Sequence, residues 1–115
     1  MIIRVSRGRF DPAQSDAIAA LLREGEATLV PALRAMDGLL DYYVALDSAA
    51  GVMVNISVWD SLDHAEAMSS LPEMQAQRDI FLGKDVQFEP ILNREMIWHL
   101  DMQKPSPASD AHHMP

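Results

Sequence analysis

A chain of 115 residues, 49% of them apolar, has room for one small domain with a modest core. It has no cysteine, which excludes disulfides, a thiolate nucleophile, an iron–sulfur cluster and any cysteine-based zinc site. A formal net charge of −8 argues against nucleic-acid binding, which needs a basic surface to neutralise phosphates.

The stretch Met1–Phe10 begins with a β-rich run, Ile2, Ile3 and Val5. Arg4, Arg7 and Arg9 within it are wrong for the apolar region of a secretory signal. No uncharged run reaches the ~20 residues of a membrane helix, so no membrane partner and a cytoplasmic location are the expectations. The three arginines, the only basic cluster, read as paired or solvated surface groups.

Asp11-Pro12 is a helix start, with Asp11 as N-cap and Pro12 where its missing N–H costs nothing. Ile18, Leu22, Gly25, Leu29, Leu33 and Met36 recur at helical spacing on one face. Pro31 inside that pattern predicts a kink or division near Glu26 to Val30. Asp37-Gly38 ends the helix, with Gly38 free to take the left-handed conformation.

Leu39 to Leu46 is the second strand, with Leu40, Tyr42, Val44 and Leu46 alternating with Leu39, Asp41, Tyr43 and Ala45. The loop at 47–51 ends in glycine, as a hairpin needs. Val52 to Trp59 is the clearest strand, with Val52, Val54, Ile56 and Val58 on one face and Met53, Asn55, Ser57 and Trp59 on the other. Asp60-Ser61 caps a short helix, Pro72 opens another that ends at Gly83, residues 84–90 connect, and Ile91 to Leu100 forms a closing β run. The domain thus spans residues 1–101, and from Met102 onward three prolines and no apolar period predict a disordered tail. His112-His113 within that tail is an adjacent pair without chelating spacing.

The order β-α-β-β-α-β predicts an α+β, ferredoxin-like fold: a four-stranded antiparallel sheet with its helices on one face. Strands 2 and 3 are apolar on both faces, so the uncovered face predicts a partner, most economically a second copy of the chain.

No phosphate loop, HExxH motif or nucleophile elbow is present. One constellation remains, Asn55 and Trp59 on one strand face with Ser57 between them. A buried carboxamide is costly unless satisfied. Either Asn55 is a structural residue bonded to a neighbouring loop and Trp59 a core residue, or the two line a cavity. In the second case Asn55 would donate to a developing oxyanion and Trp59 would form a flat apolar wall.

Ile2-Ile3-Arg4-Val5 with the residues after it, Met36-Asp37-Gly38-Leu39, and Asn55-Ile56-Ser57-Val58-Trp59-Asp60-Ser61 resemble, in order and spacing over residues 1–100, the antibiotic biosynthesis monooxygenase family. The resemblance implies a dimeric α/β barrel in which two ferredoxin-like subunits pack their sheets together. It also implies an oxygenase without metal, flavin or other cofactor, acting with O₂ on a phenol- or anthrone-like aromatic. Carried over, Asn55 polarises the substrate oxygen, Trp59 packs along its rings and Arg78 assists as a substrate-binding residue; Ser57, between the pair, and His64 are further candidates for substrate binding, His64 being otherwise a solvated or capping-turn residue. No tyrosine follows Trp59, where some relatives carry one. A haem-degrading branch needs an axial histidine past the tryptophan; Met68-Ser69-Ser70-Leu71 holds none, and His64 comes too early. His99 on the last strand reads as a core or interface histidine. The second class of function is a dimeric small-molecule-binding or stress-response module of the same fold without catalysis.

Overall fold

The structure, a computed structural model, describes residues 1–102. Beyond Met102, the expected tail and His112-His113 lie outside the described residues.

Strand β1 (Ile2–Arg9) is the central rail of the sheet. Strand β3 (Val52–Trp59) pairs with it antiparallel along its whole length, from Ile2 opposite Trp59 to Arg9 opposite Val52. Strand β2 (Leu39–Asp47) lies outside β3, joined to it by the hairpin that ends at Gly51. On the other edge of β1 lie two short strands, β4 (Gln87–Phe88) and β5 (Leu92–Glu95). The order β2-β3-β1-β4, with β5 also on β1, is the antiparallel ferredoxin-like sheet expected.

The closing strand expected over Ile91 to Leu100 is thus only Leu92–Glu95, and the expected connection 84–90 contributes a short strand of its own. Glu89 still donates to the Arg7 carbonyl at 2.9 Å, but Pro90 has no N–H and breaks the ladder. After β5, Met96 bonds to the Met1 carbonyl at 2.9 Å, and the strand ends where β1 offers nothing further to pair with.

Helix α1 (Ser15–Arg34) follows a single 3-10 turn, Pro12–Gln14, whose cap Asp11 accepts from the Ala13 N–H at 3.0 Å. The expected division at Pro31 does not occur: the helix runs through it unbroken. Pro31 and Ala27, whose carbonyl loses its donor, both face solvent, where water can take the orphaned oxygen. Helix α2 (Leu62–Ala67), capped by the Ser61 hydroxyl, leads through a 3-10 turn at Met68–Ser70 into α3 (Pro72–Leu82). Gly38 takes φ +80°, as the helix end requires, and its carbonyl accepts from the Asp60 N–H at 2.9 Å.

Register decides which face the helices cover. Met53, Ser57 and Trp59 are buried beneath them, while Val52, Val54, Ile56 and Val58 stand on the uncovered side with Ile3 and Val5. In β2 a bulge between Leu39 and Asp41 shifts the expected alternation. It brings Leu39 onto the face of Tyr42, where both pack on the Trp59 cluster, and leaves Leu40 exposed. The N-terminal arginines divide likewise. Arg7 and Arg9 are exposed and approach Glu89 at 3.8 and 2.6 Å, as expected of surface groups. Arg4 faces the helices and is 5% exposed, contrary to the surface reading.

Candidate functional site

The core under the helices forms two clusters. At one end Phe10, Ile18, Met53, Phe81 and Val86 pack together; at the other, Leu33, Trp59, Ala65 and Met68. On β3 the first cluster takes Met53 and the second takes Trp59. Between them on the same sheet face lies Asn55, directly opposite Ser6 of β1 and Val44 of β2. Here the apolar filling stops, and a groove opens between the sheet and helices α1 and α3; the open space it belongs to, ≈ 1230 Å³, also reaches Ala45 and Val54 of the other sheet face. Arg4, Ser6, Tyr42 and Asn55 lie on its floor, with Leu22, Leu29 and Met74 among its apolar walls.

The partly buried Asn55 carboxamide makes no hydrogen bond among the described residues. That removes the structural alternative of an asparagine tied to a neighbouring loop, and leaves its N–H₂ available to a ligand. Tyr42 is the tyrosine of the groove. Burial pushes its pKa up to about 12, so at neutral pH its phenol stays protonated and is no base.

The five site residues expected from sequence separate. Asn55 and Arg78 line the groove, Arg78 stacking its guanidinium 4.4 Å above the Phe88 ring. Trp59 and Ser57 do not line it. Trp59 is completely buried and its indole N–H donates to the Ser57 hydroxyl at 2.8 Å, which in turn faces the Met68 sulfur at 3.9 Å. Trp59 thus builds the wall behind the groove. His64 stands apart on α2. Sequence reasoning missed Arg4, Ser6 and Tyr42, which only strand pairing carries to the same floor as Asn55.

His64 Nδ1 lies 2.6 Å from Asp60 Oδ1 on the surface. The hydrogen bond to Asp60 raises the His64 pKa, helped by the charges of Asp60, Asp37 and Asp63, and the same bond lowers that of Asp60. A raised histidine stabilises the fold fully below its unfolded value of 6.5, and this is lost as pH rises through the folded value. A depressed aspartate stabilises above its unfolded 3.8, and this is lost as pH falls through its folded value. The urea midpoint of His64→Gln should therefore fall furthest below that of the unsubstituted protein near pH 5.5. The gap should close by pH 9; a pH-independent gap would contradict the pairing.

The sequence model of antibiotic biosynthesis monooxygenases matches residues 1–79. No curated protein sequence matches the chain. In fold the chain is similar to a Deinococcus radiodurans protein assigned to the antibiotic biosynthesis monooxygenases: 23% identity, 90% of this chain and 100% of that one covered, TM-score 0.67. It is similar also to NE2512, a protein of unknown function from Nitrosomonas europaea, at 14% identity with 91% and 94% covered and TM-score 0.65. A mutant form of SnoaB, a cofactor-independent oxygenase from Streptomyces nogalater, aligns at 14% identity over 86% and 95% of the two chains, with TM-score 0.60.

Proposed function

This chain belongs to the antibiotic biosynthesis monooxygenase family, and from that premise we propose that its groove is the site of a monooxygenation of an electron-rich aromatic by O₂ without a cofactor. The observation that carries the reading is the unengaged Asn55 carboxamide on the floor of a groove with apolar walls. A polycyclic phenol or anthrone fits the lining of such a groove. Its oxygen accepts from Asn55, and this bond strengthens as the substrate loses a proton and negative charge gathers there. The substrate anion is itself the reductant: it passes electrons to O₂, a carbon–oxygen bond forms, and the ring hydroperoxide loses water to leave a ketone. In total a methylene and O₂ become a carbonyl and water. SnoaB, a cofactor-independent oxygenase, supports the reading by its fold.

We place a second copy of the chain over the uncovered sheet face. Ile3, Val5, Val54, Ile56 and Val58 form an apolar surface there beside the exposed Tyr43, and no helix among the described residues covers it. A groove that only binds is favoured by one observation, the absence of Trp59 from its lining. Oxygen consumption with a panel of anthrones and naphthols, on protein stripped of metal by chelation, separates the two. Uptake in proportion to quinone formed is the expected result. Ligand binding without uptake across the panel would leave only the binding module. Sedimentation of the same sample should report twice the mass of the chain, and a single-chain mass would remove the dimer.

A further inference from the structure

The exposed arginines of strand β1 have an acidic partner in Glu89, and the buried one has no carboxylate within salt-bridge distance among the described residues. That residue, Arg4, is 5% exposed. Its contacts are neutral: Nη2 donates to the Ser69 hydroxyl at 2.6 Å and Nη1 to Asn93 Oδ1 at 3.4 Å. Its Nε–H has no partner among the described residues, and a guanidinium carries five N–H donors that cannot be relieved by deprotonation. No fully buried nitrogen among the described residues lacks a partner, so an unbonded N–H of this guanidinium opens onto the groove, where its permanent charge is answered by solvent or by a ligand.

Its position supplies the answer. Arg4 pairs with Ser57 across the sheet, so Asn55 is its diagonal neighbour on the same face, about 7–8 Å away between backbones. Both side chains line the groove. We infer that Arg4 is the anion-recognition residue of the groove and holds the ionised oxygen of the bound ring, an aryl oxyanion, within reach of Asn55. The inference rests on the functional reading above and deepens it: the substrate class is one bound as its phenolate or enolate. Neutral partners fix the guanidinium in place without spending its charge, which then lowers the pKa of a bound phenol.

The surrounding charges agree. Burial lowers the Arg4 pKa, and the charge of Glu66 on α2 acts in the opposite sense from an exposed position. Of the other charged side chains lining the groove, Arg23, Glu26, Arg34, Asp41 and Arg78 are not buried, and Glu89 is held by Arg9. None supplies Arg4 with a counter-charge inside the groove.

The test uses alizarin, whose phenolate absorbs at longer wavelength than its phenol, with 1,2-dimethoxyanthraquinone as the neutral ring and anthraquinone-2-carboxylate as the alternative anion. The unsubstituted protein should bind alizarin as the anion at a pH where the free dye is largely neutral, with the anion favoured about tenfold or more. Arg4→Gln should abolish that preference while binding the dimethoxy ring within about twofold, and Arg4→Lys should restore most of it. The carboxylate binding more tightly than alizarin would show that the anion recognised is a carboxylate and overturn the phenolate assignment. Equal affinity of the unsubstituted protein for charged and neutral rings would overturn the inference without any variant, even should Arg4→Gln fail to fold. So would an Arg4→Gln protein that keeps the preference, or that loses both rings equally. Failure of every ring to bind sinks the functional reading itself, whereas anion binding without oxygen uptake sinks the oxygenation alone.

Discussion

Replacing Trp59 with alanine should destabilise the domain by about 3–5 kcal/mol, the cost of removing a fully buried large aromatic side chain. Trp59 packs with Leu33, Ala65 and Met68, so its loss empties the centre of one of the two clusters. It also removes the donor to Ser57, a hydroxyl completely out of water. Domains of this size hold only about 5–15 kcal/mol in total, so the loss is a large share of the stability. Trp59→Phe keeps an aromatic ring and loses the indole N–H, and should cost about 1–2 kcal/mol. Urea denaturation followed by far-ultraviolet circular dichroism reads both. A loss below about 1 kcal/mol in the alanine variant would be incompatible with complete burial of the indole. The phenylalanine variant carries a second message. Because Trp59 stands behind the groove, ring ligands should bind this variant with nearly unchanged affinity. A tenfold weakening without loss of stability would return Trp59 to the substrate contact that sequence resemblance implies.

Asn55→Ala should produce the opposite pattern. The side chain makes no hydrogen bond or ion pair among the described residues and is only half-buried, so its removal leaves stability within about 0.5 kcal/mol. Under the proposed chemistry it withdraws a donor aimed at developing negative charge, for which losses of about 10²–10³ in kcat are usual. The bond matters most once the oxygen is charged, so with a ring bound as the phenol the loss falls on kcat, and with a ring bound already ionised part of it falls on KM. Oxygen-uptake kinetics on the folded variant measure the split. A variant retaining more than about a tenth of the activity would remove Asn55 from the chemistry. A rise in KM alone would make it a binding contact only. Trp59 and Asn55, four residues apart on one strand face, are thus expected to fail in different assays, one in stability and the other in turnover.

That divergence marks the limit of local pattern. Alternation of period two puts Asn55, Ser57 and Trp59 on one face, and they are on one face. It cannot say that the helices pack closely over Met53 at one end and Trp59 at the other, leaving the middle open. Nor can it say which face of the strand the helices cover, because the valines of the uncovered face are as apolar as the residues beneath the helices. Arg4 is visible in the sequence as a basic residue in a β run, but its burial depends on pairing with β3 and on Ser69 and Asn93, which come from distant parts of the chain. The resemblance points to a tyrosine downstream of Trp59, whereas β2 brings Tyr42 to the groove from upstream. The unbroken α1 at Pro31 and the interruption at Pro90 have one cause. A proline removes one donor, and the outcome depends on whether water or a neighbouring strand can serve the group affected.

By itself the sequence determined the order of elements, the antiparallel α+β architecture and the strand face on which Asn55 lies, because caps, turns and apolar periods are local properties of the chain. The tertiary structure alone decided that Trp59 is a wall, that Asn55 is unengaged and that Arg4 is a buried cation without a counter-charge among the described residues. Burial and pairing are set by residues far apart in sequence, and a groove exists only where packed elements fail to fill the space between them.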